Sequence, residues 1–130
     1  MINLCAFDAA LRLVCEVDGE NINTDYRERS RFLLPLICQS FASLDKAYRQ
    51  VNGLEEQSLG RLNQPEYPLQ EDFPLSDCFL LPVAAQLASL LVISENPELS
   101  ERLEALSERS GARIRKDLPF HSEPIVNKHP

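Results

Sequence analysis

Apolar residues recur at Leu4, Phe7, Leu11 and Val14, with Cys15 beside the last, spaced three, four and three. That spacing lines one face of a short amphipathic helix, and Asp18-Gly19 ends it. The residues from Glu16 to Thr24 are mostly small, polar or acidic and read as a loop. Thr24 or Asp25 then offers a side-chain acceptor for the next helix, with Glu28 at capping-box distance from Asp25. The second stripe is the longest in the chain: Leu33, Ile37, Phe41, Leu44, Tyr48 and Val51 recur every three or four residues. It predicts one helix from about Asp25 to Asn52, stopped by Gly53 and on the order of 40 Å long. Pro35 lies inside it, so the helix is expected to kink near Arg31 or break into two segments.

From Leu54 to Leu75 periodicity disappears. Gly60, Pro65, Pro68 and Pro74 punctuate a connection far longer than the few residues usual in compact domains, which marks it as a functional loop or an extended arm. A short hairpin with strands near Leu59 and Tyr67 is the alternative within it. Ser76 is placed to cap a third helix, in which Phe79, Leu80, Val83, Ala84, Leu87, Ala88, Leu90 and Leu91 leave little polar circumference. A helix apolar nearly all round must be surrounded. Asn96-Pro97-Glu98 combines a capping side chain, proline at the first helical position and an acid at the positive helix end. The helix it opens turns Leu99, Leu103 and Leu106 inward and Glu101, Arg102, Glu104, Glu108 and Arg109 outward, and Gly111 marks its expected end. Pro119, Pro124 and Pro130 punctuate a tail with few apolar residues.

The pattern thus predicts an all-α fold of four principal helices: a single helical domain over 1–116, with a long loop at 54–75, and an extended or disordered tail over 117–130. The chain has 130 residues, of which 44% are hydrophobic and 25% charged, and that is enough to bury a core without a metal or disulfide staple. Lys and Arg number 13 against 20 Asp and Glu, for a net charge of −7. The acidic balance opposes nonspecific attraction to phosphate backbones. Only 7% of residues are aromatic and Trp is absent, so platforms for stacked bases or sugars are poorly supplied. Met1 to Asp8 has no basic segment ahead of an apolar run and is read as no secretory signal. The stretch from Phe79 to Ile93 is shorter than the roughly 20 residues that cross a bilayer. Cys5, Cys15, Cys38 and Cys78, irregularly spaced, are expected to be small core hydrophobes in a reducing compartment.

Candidate chemistry is sparse. There is no Cys-x-x-Cys pair and no His-Glu-x-x-His. His121 and His129 both fall in the tail, where nothing would hold an imidazole against a thiol. Asp8, Cys15 and Cys38 are assigned to helix surfaces or the core. The glycines at 19, 53, 60 and 111 are isolated and make no phosphate cradle. Glu55, Glu56, Glu66, Glu71 and Asp72 lack the spacing of a calcium loop. Two basic clusters, Arg27, Arg29 and Arg31, and Arg109, Arg113, Arg115 and Lys116, lack interleaved aromatic residues, which speaks against a nucleic-acid patch; the second is partly explained by the negative helix end, and contact with an acidic face of a neighbouring subunit is about as economical a reading. No catalytic, cofactor-binding or metal-binding residue is assigned, and no enzyme activity is expected.

The order of these signals resembles a known family. A helix ends near Asp18-Gly19, a long helix runs from Phe32 to Asn52-Gly53, and a variable loop follows. A Phe-Pro-Leu opening at Phe73 to Leu75 then precedes Pro82-Val83-Ala84-Ala85-Gln86-Leu87-Ala88 and Ser94-Glu95-Asn96-Pro97-Glu98-Leu99. Over Leu4 to Lys116 the chain resembles the small helical head-to-tail connector (adaptor) proteins of tailed bacteriophages and prophages, although Pro35 and the four cysteines depart from their pattern. The resemblance implies a non-enzymatic virion component that assembles as a homo-oligomeric ring between portal and tail proteins. DNA would pass through the ring without sequence-specific binding, and no cofactor or membrane would be involved. Loops and terminal arms would grip neighbouring subunits, with loop 54–75 and the tail ordering only on assembly. The protein would then reside in the virion or the host cytoplasm. The alternative function is a cytoplasmic helical binding module or regulator that packs a partner helix against the Phe79 to Ile93 surface.

Overall fold

The computed structural model describes residues 1–18 and 24–118, without the side chains of residues 15–18 and 24. Gly19, the tail beyond Leu118 with His121 and His129, and the side chain of Cys15 lie outside the described residues. Six α-helices form among the described residues: α1 (Asn3–Asp18), α2 (Thr24–Ser40), α3 (Ala42–Val51), the single turn α4 (Leu59–Leu62), α5 (Leu80–Val92) and α6 (Pro97–Lys116). The fold is all-α, as the periodicity predicts. Its centre is α5, which packs against α6, α1 and α2. Pro82 to Ala85, Leu87 to Ser89, Leu91 and Val92 are all buried. Covering each large aliphatic side chain contributes about 1.5–3 kcal/mol, so this helix dominates the core.

Small residues let α6 come close to α5, and hydroxyls lock the contact. Ser89 Oγ donates to the Ser100 carbonyl and Ser100 Oγ donates to the Ser89 carbonyl, both at 2.9 Å. Ser107 Oγ donates to the Pro82 carbonyl at 2.8 Å. The Asn96 side chain accepts from Leu99 N at 3.1 Å, which is the cap expected at the start of α6. Gly111, expected to end α6, lies inside it instead. A Cβ there would stand 3.1 Å from Phe41 Cε1, so this glycine serves close approach of the Phe41 ring rather than a turn. Gly53 does end α3, at φ +66°.

The long second helix is two helices, and the break is at Phe41 rather than near Arg31. Ser40 Oγ donates to the Ile37 carbonyl at 2.6 Å. Phe41 N turns to the Cys38 carbonyl at 3.1 Å, a tightened turn that interrupts the ladder. At Pro35 the helix continues. The carbonyl of Arg31, which loses its helical donor to the proline ring, accepts from Tyr67 N at 2.9 Å. The proline therefore anchors the connection that follows α3.

That connection departs most from expectation. It forms no hairpin, since Leu59 lies in α4, and among the described residues its only β-pairing is one antiparallel bridge between Ile2 and Asp72. Leu62, Tyr67, Leu69, Phe73 and Leu75 all join the core. Asn3 N and Leu4 N donate to the carbonyls of Glu71 and Leu69, each at 2.8 Å, so the loop also satisfies the start of α1. Loop 54–75 is thus a packed part of the fold rather than a free arm: Leu62, Tyr67, Leu69 and Phe73 to Leu75 are buried, while 54–56, 58–60 and 70–72 stay exposed. Ser76 makes no side-chain cap, and a 3-10 turn at Asp77–Phe79 leads into α5.

Candidate functional site

The three cysteines whose side chains are described are free thiols, and Cys78 departs from the expected core placement because it lies at the surface. Cys5 is half-buried, Cys38 is buried and Cys78 is exposed. Burial first, and the Asp45 carboxylate second, push the Cys38 thiol well above its ordinary pKa. Cys78 is raised chiefly by partial burial of its thiol, against the opposing effect of a hydrogen bond with Tyr48. Thiols held protonated are weak nucleophiles. Among the described residues no three His, Cys, Asp or Glu side chains come close enough to share a metal ion. Nor is any described helix long and apolar enough to cross a membrane.

The two basic clusters differ sharply. The first is consumed within the subunit. The Arg27 guanidinium lies 5.4 Å from the Phe7 ring centroid. Arg29 pairs with Asp25 and donates to the Leu90 carbonyl. Arg31 pairs with Glu28 and Glu66. In the second, Arg109, Arg113, Arg115 and Lys116 are exposed and enter none of the ion pairs among the described residues. The acidic residues of the loop are not gathered either: Glu66 faces Arg31, Asp72 stands 4.0 Å from Arg61, and Glu55, Glu56 and Glu71 are exposed.

A polar node that the sequence pattern does not disclose holds the loop in place. Asp45, 0% exposed, accepts through Oδ2 from Arg49 Nε at 2.8 Å and Gln57 Nε2 at 2.9 Å, and through Oδ1 from Ser76 N at 3.0 Å. Arg49 reaches on to the carbonyls of Glu55 and Pro74, at 3.0 and 3.3 Å. Gln57 Nε2 also donates to the Ala42 carbonyl at 2.8 Å. A buried carboxylate is tolerable only when paired and hydrogen-bonded, and here its partners come from both ends of the loop. The i, i+4 spacing of Asp45 and Arg49 was the one available signal, and on a helix it ordinarily reads as a surface pair.

Besides the exposed charges of α6 and the loop, large apolar side chains stand at the surface. Phe32 and Leu36, one turn apart on α2, are 54% and 66% exposed. Leu36 borders a groove of about 480 Å³ between α2 and α6, which Ile37, Leu90, Ala112 and Arg115 also line. Leu54 and Leu59, where the loop leaves α3, are 49% and 61% exposed. The chain matches no protein-family model, no curated protein and no solved structure. What the described surface offers is exposed apolar side chains beside exposed charge, the composition from which contact surfaces are built.

Proposed function

We propose that this protein is a structural subunit of a tailed-phage or prophage particle, a head-to-tail connector that assembles as a ring between portal and tail. The observation that carries this reading is the presence, on one packed helical body, of two separate exposed apolar patches, at Phe32–Leu36 and at Leu54–Leu59. Such a body acts by contact. The order of helices, the Phe73-Pro74-Leu75 opening and the Asn96-Pro97-Glu98 turn support the connector resemblance, and the net charge of −7 suits a channel that must not retain DNA phosphates. The protein would work in the virion or the host cytoplasm without catalysis.

The alternative, a module that binds a partner helix along Phe79 to Ile93, loses its surface. Within that stretch only Leu81 and Ile93 are exposed, each by about half, one at each end of α5. A partner would have to use the α2–α6 groove instead. Sedimentation velocity over a range of concentrations, alone and with portal protein, tests the connector reading. It predicts ring-sized species, and a strict monomer or dimer in every condition, with no portal binding, would refute it.

A further inference from the structure

A recess of about 580 Å³ lies between the ends of α3 and α6. Tyr48 and Val51 of α3, Cys78 of the turn before α5, and Ile114 and Leu118 line it, together with Asn52 and Asp117. Tyr48 stands edge-on to the buried Phe79 ring, centroids 6.2 Å apart, so the core fixes that wall. Val51 and Ile114 are only half-buried, which leaves apolar surface facing the recess incompletely covered.

The chain leaves the described residues at this recess. Leu118 is 3% exposed, lies one turn beyond Ile114, and donates its N–H to the Arg115 carbonyl at 3.2 Å. Pro119 follows. It has no N–H with which to prolong α6, and its ring disfavours a helical conformation in the residue before it, so the chain is directed into an extended path. Along an extended path, residues two apart point to the same side and stand about 7 Å from one another. Phe120 is two residues beyond the buried Leu118, and it is the only Phe, Tyr or Trp in segment 119–130.

We propose that Phe120 docks in this recess of its own chain, its ring against Tyr48, Val51 and Ile114, and so ties the tail to α3. The short reach selects the occupant. Two residues carry the ring from Leu118 to the recess wall, whereas the tail of a second copy would also have to offset the entropy of association. The contact goes beyond the connector reading and does not depend on it. It covers the Cys78 thiol, and it makes the α3 side of the molecule, rather than the tip of α6, the point from which residues 121–130 depart.

Alkylation of the native full chain, read at each thiol by mass spectrometry, tests this. Phe120→Ala, and a chain ended after Leu118, should both react at Cys78 several-fold faster than the wild type. Cys38, which is buried, should stay protected in all three and so report an intact fold. Equal rates at Cys78 would overturn the contact. The absence of Trp from the chain supplies a second readout. Phe120→Trp adds a single indole, whose emission should be blue-shifted and shielded from acrylamide to the same degree at every protein concentration. Val51→Asp in that chain should expose the indole, with circular dichroism checking that the helices persist. Shielding that survives Val51→Asp would place the tail on another surface, and shielding that grows with concentration would give the recess to the tail of a second copy. Either result, like an indole freely quenched from the outset, would overturn docking within the chain.

Discussion

Asp45 shows how a single side chain decides the path of a long connection. Its carboxylate takes donors from α3, from the start of the loop and from the segment entering α5, so removing it leaves the Arg49 guanidinium half-enclosed and unpaired. Asp45→Ala should cost about 3 kcal/mol in urea unfolding and admit proteolysis within 54–75, since breaking a buried pair strands its partner. A loss under about 0.5 kcal/mol, the range of ordinary surface changes, would mean the node is dispensable. Cys38 and Tyr67 make a second prediction at this scale. Burial raises the pKa of both in the folded state. Their neutral forms thus belong to the fold, and above the ordinary thiol value of 9.0 the unfolded chain ionises first. Stability should be intact below that pH and decline above it, by about 1.4 kcal/mol per pH unit for each group fully in its window. Urea midpoints measured on both sides of that value check this. Cys38→Ala should flatten part of the decline, and an equally steep decline in that variant would exclude the thiol as its source.

Helices were legible where periodicity and capping agree. The Leu4, Phe7, Leu11, Val14 stripe and the Asn96-Pro97 cap correspond directly to α1 and α6. The division of the second stripe was not legible, because a one-residue interruption at Phe41 leaves Leu44 and Tyr48 against the same core and so preserves the hydrophobic phase. Its cause is a side-chain hydrogen bond from Ser40 that hydropathy does not register. The loss of a backbone donor at Pro35 is legible, but the kink or break expected from it does not occur there, because the replacement donor comes from Tyr67, far along the chain. Pro35→Ala restores a competing donor to the Arg31 carbonyl. Hydrogen exchange at the Tyr67 amide should therefore quicken while α2 stays folded, and unchanged protection at Tyr67 would show that the loop needs no such anchor. For α5, the expected enclosure is observed, with Leu87 fully buried. Leu87→Asp should unfold the domain, because an unpaired carboxylate cannot be accommodated there. An intact circular-dichroism spectrum in that variant would contradict a covered central helix.

At the scale of the whole molecule, the all-α architecture and its central apolar helix follow from the pattern of residues, whereas the standing of loop 54–75 does not. Its prolines and missing periodicity describe an arm, yet its fixation depends on Leu62, Tyr67, Leu69, Phe73 and Leu75 meeting helices remote in sequence. The candidate surface was hidden for the same reason: the exposure of Leu36, Leu54 and Leu59 is what remains after tertiary packing chooses its core. The chain that results is acidic and leaves large apolar side chains exposed at Phe32–Leu36 and at Leu54–Leu59. Native mass spectrometry of the wild-type chain mixed with portal protein tests the central claim most directly. A closed multimer of this chain seated on the portal is the predicted result, and a spectrum holding only free monomer beside unaltered portal would contradict it.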